Sequence, residues 1–326
     1  MQRVMLVLFI ASELCFYLLI AQTGIVEIFN SDIYAIAPLP IGGILGSVLS
    51  YYINIKNKNK LLMFLSLQFT ITLFYPNLST LMLFILGLSV GAIAPLLINE
   101  LKKATSLELG FALTLSYVSG TFLFNYDAYL RGDLAIGLTL IAIFSLIFMS
   151  KNSFKYSTLN NFTLSMMVLW VFLDSALFET LSRDLNIPIW RDGYSIQIAL
   201  FHIIGVAVAL KYKIDKNQQE LLIITLFAVS YLLYFISEAF ILSLVYPFVI
   251  SYYNVVILQN ILTKDLKTIA FYMIFIGWIA SAVGLFVALE QLMLYVPIIF
   301  LIIFFKIIIL QNNKNYIVQN KEVQNV

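Results

Sequence analysis

Long apolar stretches separated by short polar turns run through the whole chain. Charges, asparagines and prolines divide it into twelve stretches of roughly 20 residues, the length that an α-helix needs to cross a membrane. The predicted helices 1 to 12 cover 4–24, 33–55, 61–75, 78–101, 107–126, 133–150, 162–182, 194–212, 219–237, 239–262, 268–290 and 292–310. The run 221–262 is too long for one crossing, so Glu238 is predicted to mark a turn within it.

The first stretch is predicted to be a retained helix rather than a cleaved signal peptide. Only Arg3 precedes it as a positive charge, no small-residue cleavage site follows it, and Glu13 interrupts its apolar run.

Lysine positions give an orientation to the twelve predicted helices. Lysine collects in cytoplasmic loops. With a cytoplasmic N-terminus, every lysine falls in a loop or tail on that one side: Lys56, Lys58, Lys60, Lys102, Lys103, Lys151, Lys155, Lys211, Lys213, Lys216, Lys264, Lys267, Lys306, Lys314 and Lys321. The sequence therefore predicts a multi-pass protein of the cell membrane with both termini in the cytoplasm.

Composition supports a lipid environment. Of 326 residues, 62% are hydrophobic and 11% are charged, whereas soluble proteins have about 25% charged residues. The net charge of +2 predicts no nucleic-acid partner. The single cysteine, Cys15, excludes a disulfide within the chain and a cysteine-based metal site. No metal site, cofactor or nucleotide-binding loop is predicted.

Three pairs of segments suggest an internal repeat. The segment 46–58, GSVLSYYINIKNK, matches 205–217, GVAVALKYKIDKN, at an offset of 159 residues. Glu13 in helix 1 and Asp174 in helix 7 lie 161 residues apart, and SYVSG ending at Gly120 matches ASAVG ending at Gly284 at an offset of 164. The similar offsets indicate one six-helix unit used twice. An even number of crossings gives the two units the same orientation, related by an axis along the membrane normal.

Helix 4 and the turn after it resemble a signature of the major facilitator superfamily. The segment 87–100 reads GLSVGAIAPLLINE and is followed by Glu108 and Gly110, where the family usually has an arginine before the glycine. Gly46 and the basic residues after it resemble a second family motif, with Ser50 in place of the aspartate. The chain is thus identified as a compact, divergent member of that family.

The resemblance implies an all-α polytopic fold of two parallel six-helix repeats. The predicted units are an N-terminal bundle at 1–150, a short cytoplasmic linker at 151–161, a C-terminal bundle at 162–311 and a polar tail at 312–326. In the family, helices 1 and 7 line a central cavity between the halves, and the substrate binds near the midplane there.

Acidic residues within apolar helices are the first candidates for function. A charge at the bilayer centre costs about 2.5–3.5 kcal/mol on insertion scales, so such residues tend to face a cavity or a partner. Glu13 and Asp174 are predicted to face the central cavity and to take up and release protons. The alternative is a pair of neutral acids hydrogen-bonded to neighbouring helices.

Two further residues of the second half are candidates for proton or substrate coupling. Glu179 and Arg183 are spaced to form an ion pair within one helix, and the five residues from Asp174 to Glu179 turn the helix by about 140°. The two acids therefore do not face one cavity squarely. His202, the sole histidine, suits a proton relay or a substrate contact; the alternative is a packed, hydrogen-bonded residue.

The connection between helices 7 and 8 is the most polar outer loop. Arg183, Arg191 and Asp192 are predicted either to form an outer gate of ion pairs or to belong to a solvated loop that Trp190 anchors at the membrane interface. Four prolines within helices are candidate hinges for rocking of the halves: Pro38, Pro40, Pro95 and Pro247.

These features predict a secondary active transporter, not an enzyme. A small solute, polar or cationic, would cross by alternating access and be coupled to protons through Glu13, Asp174 and His202. One alternative is an accessory or assembly protein that keeps a transporter fold without transporting. Another is a membrane-embedded transferase, which would need a cluster of catalytic groups at one membrane face.

Overall fold

The chain folds into helices throughout the part that the structure describes. The computed structural model describes residues 2–29, 32–149, 161–184, 186–190, 193–302 and 304, and these contain helices and no strands. The predicted tail 312–326 and all of the predicted linker except Asn161 lie outside the described residues, as do Lys151, Lys155, Lys306, Lys314 and Lys321.

Within the described residues, a helix overlaps each of the twelve predicted stretches. They are α1 (Gln2–Ile28), α2 (Ile33–Tyr52), α3 (Asn57–Thr72), α4 (Thr80–Leu101), α5 (Ser106–Leu123), α6 (Ala128–Phe148), α7 (Leu164–Leu181), α8 (Ser195–Lys211), α9 (Lys216–Phe235), α10 (Ala239–Ile261), α11 (Leu266–Leu289) and α12 (Leu292–Ile302). In the described part of the chain, eight of them are long and apolar enough to cross a membrane: α1, α2, α4, α6, α7, α9, α10 and α11. The fold is that expected of a polytopic membrane protein.

The predicted turn near Glu238 is confirmed. Helix α9 ends at Phe235, Ser237 adopts the left-handed conformation with φ 59°, and Glu238 is the N-cap of α10. A left-handed residue just past a helix end is a common way to stop the helix and satisfy its last carbonyls.

Large apolar side chains cover much of the outer surface. Leu81, Phe111, Phe144, Leu200 and Phe271 each expose half or more of their surface. In water such a surface would promote association, whereas in lipid it is the expected outer surface of a membrane protein.

Helix pairs recur between α1–α6, the first half, and α7–α12, the second half. Helix α2 packs along α4, α1 along α5, and α3 on α4; in the second half α8 packs along α10, α7 along α11, and α9 on α10. Between the halves, α5 contacts α8 and α2 contacts α11. A cavity lies between these two groups of helices.

Glycines allow the closest helix contact, between α2 and α4. A Cβ added to Gly87 would lie 2.0 Å from the carbonyl oxygen of Leu39, and one added to Gly91 would lie 2.1 Å from that of Gly43. The two backbones are therefore in direct contact, as small residues permit in membrane helices. The second half has a looser counterpart, in which a Cβ at Gly205 would lie 2.6 Å from the carbonyl oxygen of Phe248.

Candidate functional site

A cavity of about 300 Å³ lies between the two halves. Helices α1, α4 and α5 of the first half and α7, α10 and α11 of the second half contribute most of its lining, together with one residue of α8 and one of the connection after α7. Three of the predicted site residues reach it: Glu13, Asp174 and His202. A pocket of this size can hold a small organic molecule.

Glu13 is buried and held by an amide. The residue is 5% exposed, and Gln68 Nε2 of α3 approaches its two carboxyl oxygens at 3.2 and 3.3 Å. The same nitrogen lies 3.2 Å from Thr139 Oγ1 of α6, while Gln68 Oε1 is buried without a partner. Glu13 thus joins three helices of the first half, and no cation contacts it within the described residues.

Asp174 is oriented by two phenols of α10. Tyr246 donates to Oδ1 at 2.8 Å and Tyr253 donates to Oδ2 at 2.5 Å, and Tyr246 also reaches the Asp174 carbonyl at 2.9 Å. Both tyrosines are almost fully buried, whereas Asp174 itself is partly exposed to the cavity. The carboxylate is therefore fixed in place while one side remains open to a ligand.

His202 is a packed, hydrogen-bonded residue that also lines the cavity. Its Nδ1 lies 2.6 Å from Ser251 Oγ, and the ring hydrogen-bonds the carbonyl of Pro247 on α10. One face stacks on Tyr117, with ring centroids 4.6 Å apart and planes 4° apart. The ring thus joins α8 and α10 of the second half to α5 of the first; its part in proton transfer stays a prediction.

Glu179 does not line the cavity. Arg183 binds its Oε2 through two nitrogens at 2.5 and 3.2 Å, which confirms the predicted pair within one helix. Gln22 of α1 also hydrogen-bonds this carboxyl group across the boundary between the halves. Arg183 is thus engaged by its own helix, and the other two residues of the predicted outer gate, Arg191 and Asp192, lie outside the described residues.

The prediction that Trp190 anchors at the membrane interface is wrong. Trp190 is 5% exposed and lines the cavity, with its ring near those of Phe124, Phe178 and Tyr246 at centroid distances of 5.5–6.4 Å. Its indole ring also lies nearly parallel to His202 at 6.5 Å. The connection between α7 and α8 therefore folds inwards, since burying a large aromatic ring among others outweighs its usual preference for the interface.

Two π-helical segments border the cavity, and no sequence pattern predicted either of them. They span Tyr17–Gly24 in α1 and Ile274–Ala280 in α11. Tyr17 and Trp278 meet edge to face between the halves at 6.3 Å, and Tyr17 hydrogen-bonds Ser281. Such segments widen a helix locally and are frequent at functional sites.

The prolines occupy two kinds of position. Pro38 and Pro40 lie in the first turn after a one-residue break at Ala37, which divides α2 into two segments. Pro95 and Pro247 lie inside α4 and α10, which continue through them. Movement at any of the four stays a prediction.

Arg131 is a buried residue whose importance the sequence did not reveal. It is 1% exposed and donates to the carbonyls of Tyr126 and Phe124 and to the hydroxyl of Thr23, at 2.9–3.0 Å. Its guanidinium group also lies over the Phe124 ring at 4.9 Å. Arg131 thereby fixes Phe124, which packs against Phe178 and Trp190 of the second half.

The cavity contains acids but no strong bases. Among the described residues that line it, none is lysine or arginine. No group of three or more histidine, cysteine, aspartate or glutamate side chains within the described residues is arranged to hold a metal ion.

Comparisons with known proteins add no family to this geometry. No protein-family model matches the chain, and no curated protein matches it. The resemblance to the major facilitator superfamily is therefore a hypothesis about the fold.

Proposed function

We propose that this protein is a secondary active transporter that moves a small solute across the cell membrane in exchange with or together with protons. The observation that carries the proposal is the pair Glu13 and Asp174. They lie near the middle of the first helix of each half, 161 residues apart, and both line one cavity between the halves.

Within this proposal the chain is a divergent major facilitator protein with twelve crossings in two parallel units. The recurring helix pairs support it. Corresponding glycines support it as well, since Gly120 faces Leu18 of α1 and Gly284 faces Ser175 of α7, while Gly205 faces α10 as Gly46 faces α4.

Contacts between helix ends and between turns favour twelve alternating crossings, with both termini on the lysine-rich side. Lys58 Nζ donates to the Ile147 carbonyl at 2.8 Å, and Lys102 Nζ donates to the Lys264 carbonyl at 2.5 Å. The first contact joins the start of α3 to the end of α6, and the second joins the turns after α4 and α10. Alternation would put each of these pairs on one face. By the positive-inside rule, that face is cytoplasmic.

Alternating access requires contacts between the halves that can open on either side of the cavity. Toward the end with Trp190, Gln22 meets Glu179 and Phe124 meets Phe178. Toward the other end, Lys102 meets the carbonyl of Lys264. The first set is one hydrogen bond and one ring contact, and the second is a single hydrogen bond, and contacts of these kinds suit a reversible opening.

The proton-coupling role rests on what surrounds the two acids. Glu13 is held by Gln68, which also contacts Thr139, and Asp174 is held by Tyr246 and Tyr253. None of these partners is a cation, so a proton or a bound solute is the available neutraliser of a charged carboxyl group in this cavity.

The test is proton flux in proteoliposomes that enclose a pH-sensitive dye. With an imposed pH gradient, addition of cationic, zwitterionic and anionic solutes should reveal one class that drives proton flux through the wild type. Glu13→Gln and Asp174→Asn should each abolish that flux. Asp184→Asn is the matched control, since Asp184 also accepts from a tyrosine, Tyr234 at 3.3 Å, but lies outside the cavity lining. Flux that survives both cavity substitutions would overturn the coupling assignment.

Spin labels separate a transporter from an accessory protein with the same fold. In a Cys15→Ser background, one pair at Tyr126 and Ile196 and another at Leu107 and Thr263 place labels on exposed positions of the two halves, one pair at each end. Alternating access predicts that a change of pH lengthens one distance and shortens the other. Unchanged distances together with absent flux would favour the accessory protein.

A further inference from the structure

The charges of the cavity select the charge of its ligand. Glu13 and Asp174 are acidic, and no lysine or arginine is among the described residues of the lining. Arg131 and Arg183 are held elsewhere, the first by two carbonyls and Thr23 and the second by Glu179. An anionic solute would meet carboxyl groups with no compensating base, whereas a cation would be neutralised on entry.

Ring faces add to this preference. Besides the imidazole of His202, the lining includes eight aromatic rings: Phe16, Tyr17, Tyr117, Phe124, Phe178, Trp190, Tyr253 and Trp278. The faces of such rings attract cations, most strongly where water is excluded. The α4 side of the cavity is aliphatic, with Val90, Ile93, Leu97 and Ile98, and can take only an apolar part of a ligand.

Asp174 is the acid that is prepared to contact a ligand. Its two oxygens are fixed by Tyr246 and Tyr253, and it is partly exposed to the cavity, whereas Glu13 is 5% exposed and is held by Gln68. One oriented and accessible carboxylate suits one positive charge.

We propose that the cavity binds a monovalent organic cation with an apolar body, a protonated amine or a quaternary onium ion, with Asp174 as its counter-ion. This inference names the solute of the proposed transporter and rests on that function for its physiological meaning. The apolar body packs on the α4 side, and the charge lies between Asp174 and the ring faces of the lining.

Two probes of similar shape and opposite charge test the inference. Equilibrium binding of radiolabelled tetraphenylphosphonium to the purified full chain in detergent should be saturable. Labelled tetraphenylborate, assayed in separate samples because the two ions pair with each other, should show no saturable binding. Asp174→Asn should weaken binding about tenfold or more, because a charged partner contributes about 1.5–3 kcal/mol. Asp174→Glu should restore part of the affinity, and Asp184→Asn should leave it unchanged. Thermal unfolding of each variant shows that it is folded.

Three results would overturn the inference: no saturable tetraphenylphosphonium binding, saturable tetraphenylborate binding of similar affinity, or unchanged tetraphenylphosphonium affinity in folded Asp174→Asn. Its failure is distinguishable from failure of the proposed function. If another solute class drives proton flux while the phosphonium ion does not bind, the cation assignment is wrong and the transporter stands. If the phosphonium ion binds through Asp174 but no solute drives flux, the binding site stands and the transporter is wrong.

Discussion

The two halves of the molecule each carry an acid in the middle of their first helix, but they surround it differently. Glu13 of the first half lies against the amide of Gln68, with Thr139 beyond it. Asp174 of the second half accepts hydrogen bonds from the phenols of Tyr246 and Tyr253 on both of its oxygens. One acid is enclosed by its own half, and the other is fixed but open to the cavity.

This difference indicates a division of labour. A carboxylate that accepts two strong hydrogen bonds can stay oriented for a ligand, because its lone pairs are satisfied in a fixed geometry. Glu13 has one amide partner, whose own oxygen is left without a donor. If the Gln68 side-chain amide is rotated by about 180°, its oxygen faces Glu13, and a protonated Glu13 can donate a hydrogen bond to that oxygen. This site therefore suits a bound proton better than a bound cation.

The same contrast extends to the packing of the two halves. In the first half, α2 and α4 meet backbone to backbone through Gly42, Gly46, Gly87 and Gly91. In the second half, Gly205 makes the corresponding approach to α10, where its nearest neighbours are the backbone of Phe248 and the Cβ of Ser251. The first half is thus the less tolerant of added volume.

The largest expected effect follows from this tighter contact. In Gly91→Val, the new Cβ would lie 2.1 Å from the Gly43 carbonyl oxygen, and backbone on both sides leaves it nowhere to move. We expect a loss of more than about 3 kcal/mol of stability, above the usual range for overpacking. Gly205→Val should cost less, about 1–3 kcal/mol, because its closest approach is 2.6 Å.

The yield of monodisperse protein in detergent and its thermal unfolding would measure both effects. Gly137→Val is the control, since a Cβ at Gly137 would meet nothing within 4 Å. Equal losses of stability in Gly91→Val and Gly205→Val would show that the two halves are packed equally tightly, and the first half would not be the less tolerant of added volume.

A smaller effect is expected from the partners of the two acids. Tyr253→Phe removes one of the two phenols that fix Asp174, so tetraphenylphosphonium affinity should fall about tenfold, which corresponds to a hydrogen bond to a charged group. Gln68→Leu should leave that affinity unchanged and alter proton flux instead, because its amide contacts only Glu13 and Thr139.

Tyr231→Phe provides the matched control for the tyrosine. Tyr231 is also buried on the α7 side of the second half, but its hydroxyl donates to the Leu173 carbonyl rather than to a carboxylate. If Gln68→Leu weakens phosphonium binding as much as Tyr253→Phe does, the two acids share one role and the division of labour is wrong.

The helices were predictable because their signal is local. Apolar length, charges and turns gave bounds within a few residues of the observed ones, and Glu238 marked the turn that Ser237 makes with φ 59°. A spacing of four residues also predicted the pair of Glu179 and Arg183. Such signals need no knowledge of which helices are neighbours.

The surroundings of the site were not predictable, because they come from distant parts of the chain. Gln68 reaches Glu13 from α3, and Thr139 of α6 in turn contacts Gln68, and nothing in the sequence around either residue points to Glu13. Trp190 was assigned to the interface from the usual preference of tryptophan, whereas its position depends on rings of α5, α7 and α10. Repeat offsets identified the acids, but only packing identifies their partners.

The smallest expected effect concerns the caps of α5 and α11, which follow the turns joined by Lys102 and Lys264. Thr105 and Glu108 form a reciprocal capping box, with the Thr105 hydroxyl accepting from the Glu108 amide at 3.3 Å and the Glu108 carboxylate accepting from the Thr105 amide at 2.6 Å. Asp265 caps α11 alone, accepting from the Thr268 amide at 3.4 Å. Thr105→Ala should cost about 1 kcal/mol, and Asp265→Ala should cost less.

The two caps should also differ in their response to pH. The side-chain hydrogen bond with Thr268 holds the pKa of Asp265 below its ordinary value. The stability that the Asp265 cap contributes is therefore complete above the pKa that Asp265 has in the unfolded chain. It is lost as the pH falls through the lower pKa of the folded state. The Thr105 hydroxyl does not ionise in this range.

Hydrogen exchange, corrected for intrinsic rates, measures the difference. Protection of the Thr268 amide should fall on acidification, and protection of the Glu108 amide should fall less. Equal losses at both amides would mean that acid opens the whole face rather than the Asp265 cap.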